Sequence, residues 1–524
     1  MQNRSTGSAM PVGSWFLSSR ERGNPSTRLD ARHPGGAAWT EGNLVRPLIH
    51  GATYFAELHQ RVSQMRQGDL LLFVDWRGDS DEEFNGTPDS AIGTVLADAA
   101  RRGVDVRGLL WRSHWDRMSF SAAENRHLGD EVNAAGGQCL LDMRVRAGGS
   151  HHQKFVVLRH ADRPELDVAF VGGIDLCHSR RDDASHRGDP QSQPMAAVYG
   201  PRPPWHDLQL AISGPAVGDV ETVFRERWED PTALSRSPLR WLGDRARQDN
   251  PSSTPLPAQH PDPKPTGTHS VQLLRTYPRR AGGYPFAPQG ERSVARGYGK
   301  AVSRARNLIY LEDQYLWSPA VAAMFTRALR RNPELRLIAV LPLFPDQDGR
   351  ISKPPNLVAR DRAIATLRKA APGRVAFYGL ESTDGVPIYV HAKVCVIDDQ
   401  WASVGSDNFN RRSWTHDSEL TAAVCDPGYA RVLRLNLAGE HLDRSGPMND
   451  LHDAAATFAA FADCAARLEG WYDGGCQGAR PPGRLRPVSD ATLTRVTQVW
   501  AGLLYRFVYD PDGRPVKIRM RRAF

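Results

Sequence analysis

Cysteine is scarce in this chain, with six in 524 residues (Cys139, Cys177, Cys395, Cys425, Cys464 and Cys476). None forms a CxxC pair, and the density is far below that of a disulfide scaffold, so a reduced compartment is the simpler reading. Long apolar runs are missing as well. No stretch approaches the roughly 18 apolar residues of a membrane-spanning helix, and the N-terminus MQNRSTGSAMPVGSWFLSSR lacks the apolar core of about 7–15 residues of a secretory signal. A soluble, cytoplasmic protein is expected on these grounds, although secretion by a signal-independent machine would leave no trace. Neither a glycine-rich P-loop nor a dinucleotide fingerprint is present, which removes the common nucleotide-binding readings.

What remains is an ordinary globular composition, 40% hydrophobic and 24% charged, with a basic excess of 67 Lys and Arg over 59 Asp and Glu. A net charge of +8 favours anionic partners such as phosphate esters, nucleic acid or acidic lipid. The second half repeats the first in outline. LLLFVDW (Leu70 to Trp76), a helix ending ADAARRG and VDVRGLLW are echoed by LIYLEDQYLW (Leu308 to Trp317), AVAAMFTRALRRNP and ELRLIAVLPL. Each series reads as strand, helix, strand, which predicts α/β halves with sheets covered by helices. The boundaries drawn are an N-terminal extension over 1–43, a first half over 44–234 and a Pro-rich linker or loop over 235–270. A second half follows over 271–445, then a C-terminal helical region with a basic tail over 446–524.

Two short motifs carry the chemistry. The first half contains SHHQKFVVLRH, DVAFVGGIDL and PWHDLQLAISGPAV; the second contains YVHAKVCVIDD, QWASVGSDNFN and HDSELTAAVCDPG. Both series share His-x-Lys ahead of an apolar strand, a Gly-Gly or Gly-Ser turn, and an acidic residue opening a third strand. A single His-x-Lys means little, but two in parallel contexts do not arise readily by chance. Alternation along a strand puts His152 with Lys154, and His391 with Lys393, on one face, with His151 opposite. Each pair then offers an imidazole and an ammonium to one phosphate. From their place at the start of the third strand, Asp207 is expected to orient His152, and Glu419 to orient His391. Glu312 and Gln314, at the end of the apolar strand, are expected to line the pocket. Histidines 151, 152, 160, 178 and 186 with Cys177 fit no usual structural-zinc spacing, so neither a metal nor a cofactor is expected.

The second copy, with His391, Lys393, Asp398, Gly405, Ser406 and Asn408, resembles the HKD signature of the phospholipase D superfamily. The first departs from it by placing Arg159 where the motif has aspartate. Strand parity turns position 159 away from His152, so the arginine is expected to be structural, with Asp162 or Asp167 in place of the missing carboxylate. GGIDL, PWHDLQLAISGPAV and LIYLEDQYLW look like the larger, phospholipid-acting branch. The resemblance covers roughly residues 44 to 445 and implies two pseudo-symmetric halves, mixed sheets flanked by helices, and one active site at their interface. It implies metal-independent cleavage or transfer of phospholipid through a phosphohistidine, with transient contact at a membrane surface. Lys154, Lys393, Asn408 and Ser406, with Gly172 and Gly173, would hold the phosphate; His152 is expected as nucleophile and His391 as acid and base. A nuclease of the same superfamily, a cardiolipin-synthase-like phosphatidyltransferase and a non-catalytic phosphate- or lipid-binding module are the alternatives.

Overall fold

The computed structural model describes residues 10–113, 122–235, 252–491, 493–521 and 524. In the first half, β1 (Thr40–Ile49), α1 (Gly51–Ser63), β2 (Leu70–Asp75), α2 (Ile92–Arg101), β3 (Asp105–Trp111), α3 (Ala122–Ala134) and β4 (Gln138–Asp142) alternate. A meander of β5 (Phe155–Arg159), β6 (Val168–Gly172) and β7 (Leu208–Ser213) follows, closed by α4 (Ala216–Trp228). The second half repeats this as β8 (His269–Tyr277), α5 (Ser293–Arg304), β9 (Leu308–Glu312), α6 (Pro319–Arg331), β10 (Arg336–Val340), α7 (Lys353–Ala370) and β11 (Val375–Glu381). Its meander is β12 (Val394–Ile397), β13 (Trp401–Gly405) and β14 (Glu419–Cys425), and α8 (Pro427–His441) closes it.

The first sheet runs β4-β3-β2-β5-β6-β7-β1, with β4, β3 and β2 parallel and the remaining neighbours antiparallel. The second runs β11-β10-β9-β12-β13-β14-β8 in the same pattern. The edge strands β1 and β8 meet through Thr40↔Val271 and Asn43↔His269. The α/β class expected from the repeated strand-helix-strand series, with the mixed sheets that the resemblance implies, is therefore the class observed. Alternation decides the layers: Leu70, Leu72 and Val74 face one core with Leu308 and Tyr310 of the other half, while Leu71 and Phe73 face α1 and α2. The core shared by the halves is filled by α4, every residue of which is buried, and by α8.

The Pro-rich segment is described from 252 onward; residues 236–251 of it lie outside the described residues. Its described part has no strand or helix before β8 and lies against the first half. Ser252 and Thr254 bond Gln138, and the Trp228 indole donates to the Thr254 carbonyl at 2.8 Å. In the C-terminal region, α9 (Ala454–Asp473) is capped by Asp453. A short β15 (Leu485–Pro487) then adds to the outer edge of β11, and α10 (Arg495–Leu504) follows.

Arg159 ends β5 and is 1% exposed. Its guanidinium bonds Asp167 at 2.9 Å, Glu221 of α4 at 2.8 Å and the Pro261 carbonyl at 2.6 Å. In the second half, Asp398 at the same register accepts the amides of Arg306, Asn307 and Leu308, fastening the turn before β9. Neither Asp162 nor Asp167 takes over that task in the first half. Asp69 does, accepting the amides of Arg66 and Ala161 from within the turn itself. Freed from the turn, position 159 serves α4 instead. Arg159→Ala would leave Asp167 and Glu221 buried beside a vacant site, so urea unfolding should show a loss of about 3–5 kcal/mol.

Candidate active site

The His-x-Lys residues precede the strands rather than lying within them, on the extended segments that lead into β5 and β12. Bonds to the opposite half fix them. The His152 amide donates to the Ser418 carbonyl at 2.9 Å, and the Ser418 amide to that of Ser150 at 3.0 Å. In the other copy, the His391 amide donates to the His206 carbonyl at 2.8 Å, and Tyr389 and Val390 pair in parallel with Trp205 and His206. Each motif is thus stitched to the residues that open the third meander strand of the other half.

The carboxylates follow that stitching. Glu419 places its oxygens 3.1 and 2.9 Å from Nδ1 of His152, and Asp207 places Oδ2 2.6 Å from Nδ1 of His391. This reverses the pairing expected from sequence, which gave Asp207 to His152 and Glu419 to His391. Strand parity fixes which face of its own sheet a side chain occupies; it carries no information on which half packs against that face. The two acids are equivalent by register, and each has crossed the interface.

Burial, reinforced by the charge of Lys154 beside His152 and of Lys393 beside His391, drives both imidazoles well below the ordinary histidine value. Arg180, Lys154 and His152 also act on His391, so the charges of both motifs meet there. Burial raises the Asp207 and Glu419 carboxyls. Lys393, buried among Asp207, Asp313 and two further cations, is pushed down to about 8. It donates to the His391 carbonyl and lies 3.4 Å from Oε1 of Gln314. Lys154 donates to the His152 carbonyl at 2.9 Å and lies 3.5 Å from Asp175.

Asp175 escaped the sequence reading, yet GGIDL aligned over GSDN puts it level with Asn408. Its carboxylate accepts the Trp76 and Arg77 amides at 3.1 and 3.3 Å. Aromatic rings wall the site: Trp205 lies 5.0 Å from the His391 ring and carries the Arg180 guanidinium 4.0 Å over its own ring, and Trp76 lies 6.2 Å from His152. Gln314 does reach a cleft, bonding the hydroxyls of Tyr315 and Tyr389 beside Trp317 and Phe344.

The remaining expected site residues are held by protein groups. Glu312 is not part of the cleft that Gln314 lines; it is fully buried, held by His206 and His441 at 2.7 Å and by the Tyr310 hydroxyl at 2.5 Å. Ser406 is buried and donates to Glu419 at 2.6 Å. A Cβ on Gly173 would collide with the Asp207 carboxylate, one on Gly172 with Gln209, and one on Gly405 with Thr421. Gly172, Gly173 and Gly405 make room for the Asp207 carboxylate and the neighbouring strands, and Ser406 braces Glu419. Asn408 differs: its buried side-chain carbonyl has no partner among the described residues. His151 is buried apart from the pair, 3.1 Å from Gln153.

The crossing is testable by nitrogen NMR of ring-labelled histidines. Glu419→Gln should move the ring resonances of His152 and leave those of His391, with the converse for Asp207→Asn. Either change should lower turnover, by up to about 10⁴-fold if tautomer control is lost.

Two family models match the chain, "Phospholipase D" over residues 81–322 and "Cardiolipin synthase, PLD-like domain" over 300–437. Among curated relatives, phospholipase D alpha 1 of Cynara cardunculus is 24% identical and phospholipase D alpha 2 of Oryza sativa subsp. japonica 25% identical. In each case 68% of this chain is covered, and the chain spans 58% of the relative's length. A solved phosphatidylserine synthase of Haemophilus influenzae shares the fold at a TM-score of 0.50 and 13% identity, over 81% of this chain and 93% of that one. With both motif-bearing halves matched and the duplicated sheets in place, the chain belongs to the phospholipase D superfamily, and its likeness runs to the phospholipid-acting branch.

Proposed function

We propose that this protein is a phosphodiesterase of phospholipase D type that hydrolyses phospholipid or transfers its phosphatidyl group to an alcohol. The observation that carries the reading is the pair of imidazoles, each held at Nδ1 by a buried carboxylate and each followed by a lysine, beside one aromatic-walled cleft. A carboxylate at Nδ1 fixes the tautomer and leaves Nε2 for chemistry.

His152 is assigned as nucleophile. Its side chain is 16% exposed against 7% for His391, and burial keeps its lone pair unprotonated. Its Nε2 attacks phosphorus, the N–P bond forms as the P–O bond to the head group breaks, and His391 passes a proton to the departing oxygen. An arriving phosphate anion offsets the cations around His391 and raises its proton affinity for that step. His391 then takes a proton from water or alcohol, whose oxygen displaces His152. Lys154, Lys393 and Asn408 stabilise the non-bridging oxygens.

Two features favour lipid over nucleic acid. Tyr315, Trp317, Phe344 and Tyr389 line the cleft with aromatic surface, Phe344 exposed. Beside it, Tyr505 bonds the Trp317 carbonyl and anchors the C-terminal region, where Val496, Val499, Leu503 and Phe507 lie exposed at helical spacing. The exposed cations Arg495, Arg506, Lys517 and Arg519 flank them, a combination suited to an anionic membrane surface. Leu503→Asp with Phe507→Asp should lower binding to phosphatidylserine-containing vesicles roughly tenfold or more while sparing turnover of a soluble phosphodiester.

The reaction is tested with phospholipids, single-stranded DNA and RNA in EDTA. Release of a head group, with formation of a phosphatidyl alcohol when a primary alcohol is present, is expected. Degradation of DNA without action on lipid would replace this reading by the nuclease. With a nitrophenyl phosphodiester, His391→Ala should still form an acid-labile phosphoenzyme and His152→Ala none; a phosphopeptide containing His391 would reverse the roles. Turnover should fall as pH rises through about 8, where Lys393 loses its proton, and Lys393→Arg should remove that alkaline decline.

A further inference from the structure

One residue before Asp207, the chain enters a second cluster that the reaction does not use. His50 precedes α1, His186 lies between β6 and β7, His206 abuts β7, and Glu440 sits in the last turn of α8. The three histidines are 4%, 2% and 0% exposed. Nε2 of His50 is 2.8 Å from Oε2 of Glu440, while Nε2 of His186 and Nδ1 of His206 are 3.0 and 3.5 Å from Oε1. The four donor atoms all lie within 4.8 Å of one another.

The remaining ring nitrogens show which atoms carry hydrogen. Nδ1 of His186 is 3.1 Å from the Trp205 carbonyl, which only accepts, so that nitrogen is an N–H. Nε2 of His206 is 2.7 Å from the Glu312 carboxylate, which also takes Nε2 of His441 and the Tyr310 hydroxyl, so it too is an N–H. In the neutral rings, Nε2 of His186 and Nδ1 of His206 are then lone pairs facing the Glu440 carboxylate; without a metal ion, Glu312 and Glu440 instead favour a second proton on His206. Acceptors converging in a buried space call for positive charge between them, from added protons or from a metal ion that takes their place. A ring N–H donated from the far nitrogen to a backbone carbonyl or a carboxylate is also the usual second layer around a metal-bound imidazole.

The backbone adds an independent observation. His50 and His186 both adopt the left-handed region, with φ of 69° and 52°, a conformation costly for non-glycine residues and held only where the surroundings enforce it. Three imidazoles and one carboxylate suit zinc; calcium prefers six to eight oxygens. Tetrahedral zinc with bonds of about 2.0–2.1 Å spaces its ligands about 3.4 Å apart; the imidazole-to-carboxylate separations here are 2.8–3.5 Å and no two of the four donor atoms are more than 4.8 Å apart, a set that side-chain adjustment brings to that spacing.

We propose that His50, His186, His206 and Glu440 form a closed structural site for a divalent transition-metal ion, zinc first, that ties α8 of the second half to the first half. The site is separate from the phosphodiester chemistry but adjoins it, because the His206 carbonyl accepts the His391 and Ala392 amides. Of the histidines set aside at the sequence level, only His186 belongs to it.

The test is the metal content of the full chain, expressed without a histidine tag and purified without chelator. Mass spectrometry should find about one equivalent of zinc, or the stripped protein should take up about one equivalent of zinc or cobalt, cobalt giving the visible spectrum of a tetrahedral nitrogen and oxygen site. Metal should raise the thermal midpoint, and His186→Ala and Glu440→Gln should each lower zinc affinity at least about tenfold, whereas His127→Ala on the surface should not. Less than about a tenth of an equivalent in the wild type, both as purified and after zinc loading, would overturn the proposal and leave a cluster of protonated imidazoles. Uptake unchanged in the folded Glu440→Gln variant would overturn it as well. If that variant does not fold, the wild-type stoichiometry and cobalt spectrum decide.

Discussion

Burying a carboxylate against an imidazole is costly unless its position is fixed, and here the position is fixed by exchange across the interface. Glu419 reaches His152 and Asp207 reaches His391 because the backbone on either side is already paired, His152 with Ser418 and His391 with His206. The rest of the architecture serves this exchange. The β1–β8 edge contact brings the sheets alongside, and α4 fills the core they share. Arg227 on that helix bonds Asp142 of the first half and the Ser418 hydroxyl of the second, so it braces the residue that carries the His152 amide. Gly173 and Ser406, equivalent by register, solve one problem in two ways: one vacates space for a carboxylate, the other bonds it.

Most of the fold was legible because the duplicated series LLLFVDW and LIYLEDQYLW carries both the strand signal and the repeat. The His-x-Lys pairs were legible for the same reason, each motif vouching for the other. The pairing of acids with imidazoles was not, since local periodicity knows nothing of docking. Glu312 misled because a strand-end acid looks like a pocket residue until its partners are known; His206 and His441 come from segments far apart in the chain. Asp175 could have been found by overlaying the two copies. His50, His186 and Glu440 could not, because their separations match no local motif.

Pseudo-symmetry in this chain is a property of the backbone more than of the side chains. Arg159 and Asp398 occupy one register yet hold different elements, a helix in one case and a turn in the other. Asp175 and Asn408 share a register too, but only the asparagine keeps a carbonyl without a partner among the described residues. Duplication supplied two equivalent frames, and the differences lie where the frames meet helices or cleft.

The exchange of acids also bears on synthesis. Glu419 follows His152 by 267 residues, so a ribosome that has released the first half has made an imidazole whose orienting carboxylate does not yet exist. Asp207, made early, waits in turn for His391, 184 residues later. No nascent fragment that ends before His391 holds either oriented histidine, and none that ends before Glu419 holds both, so assembly of the site becomes one of the last events of folding rather than an early one.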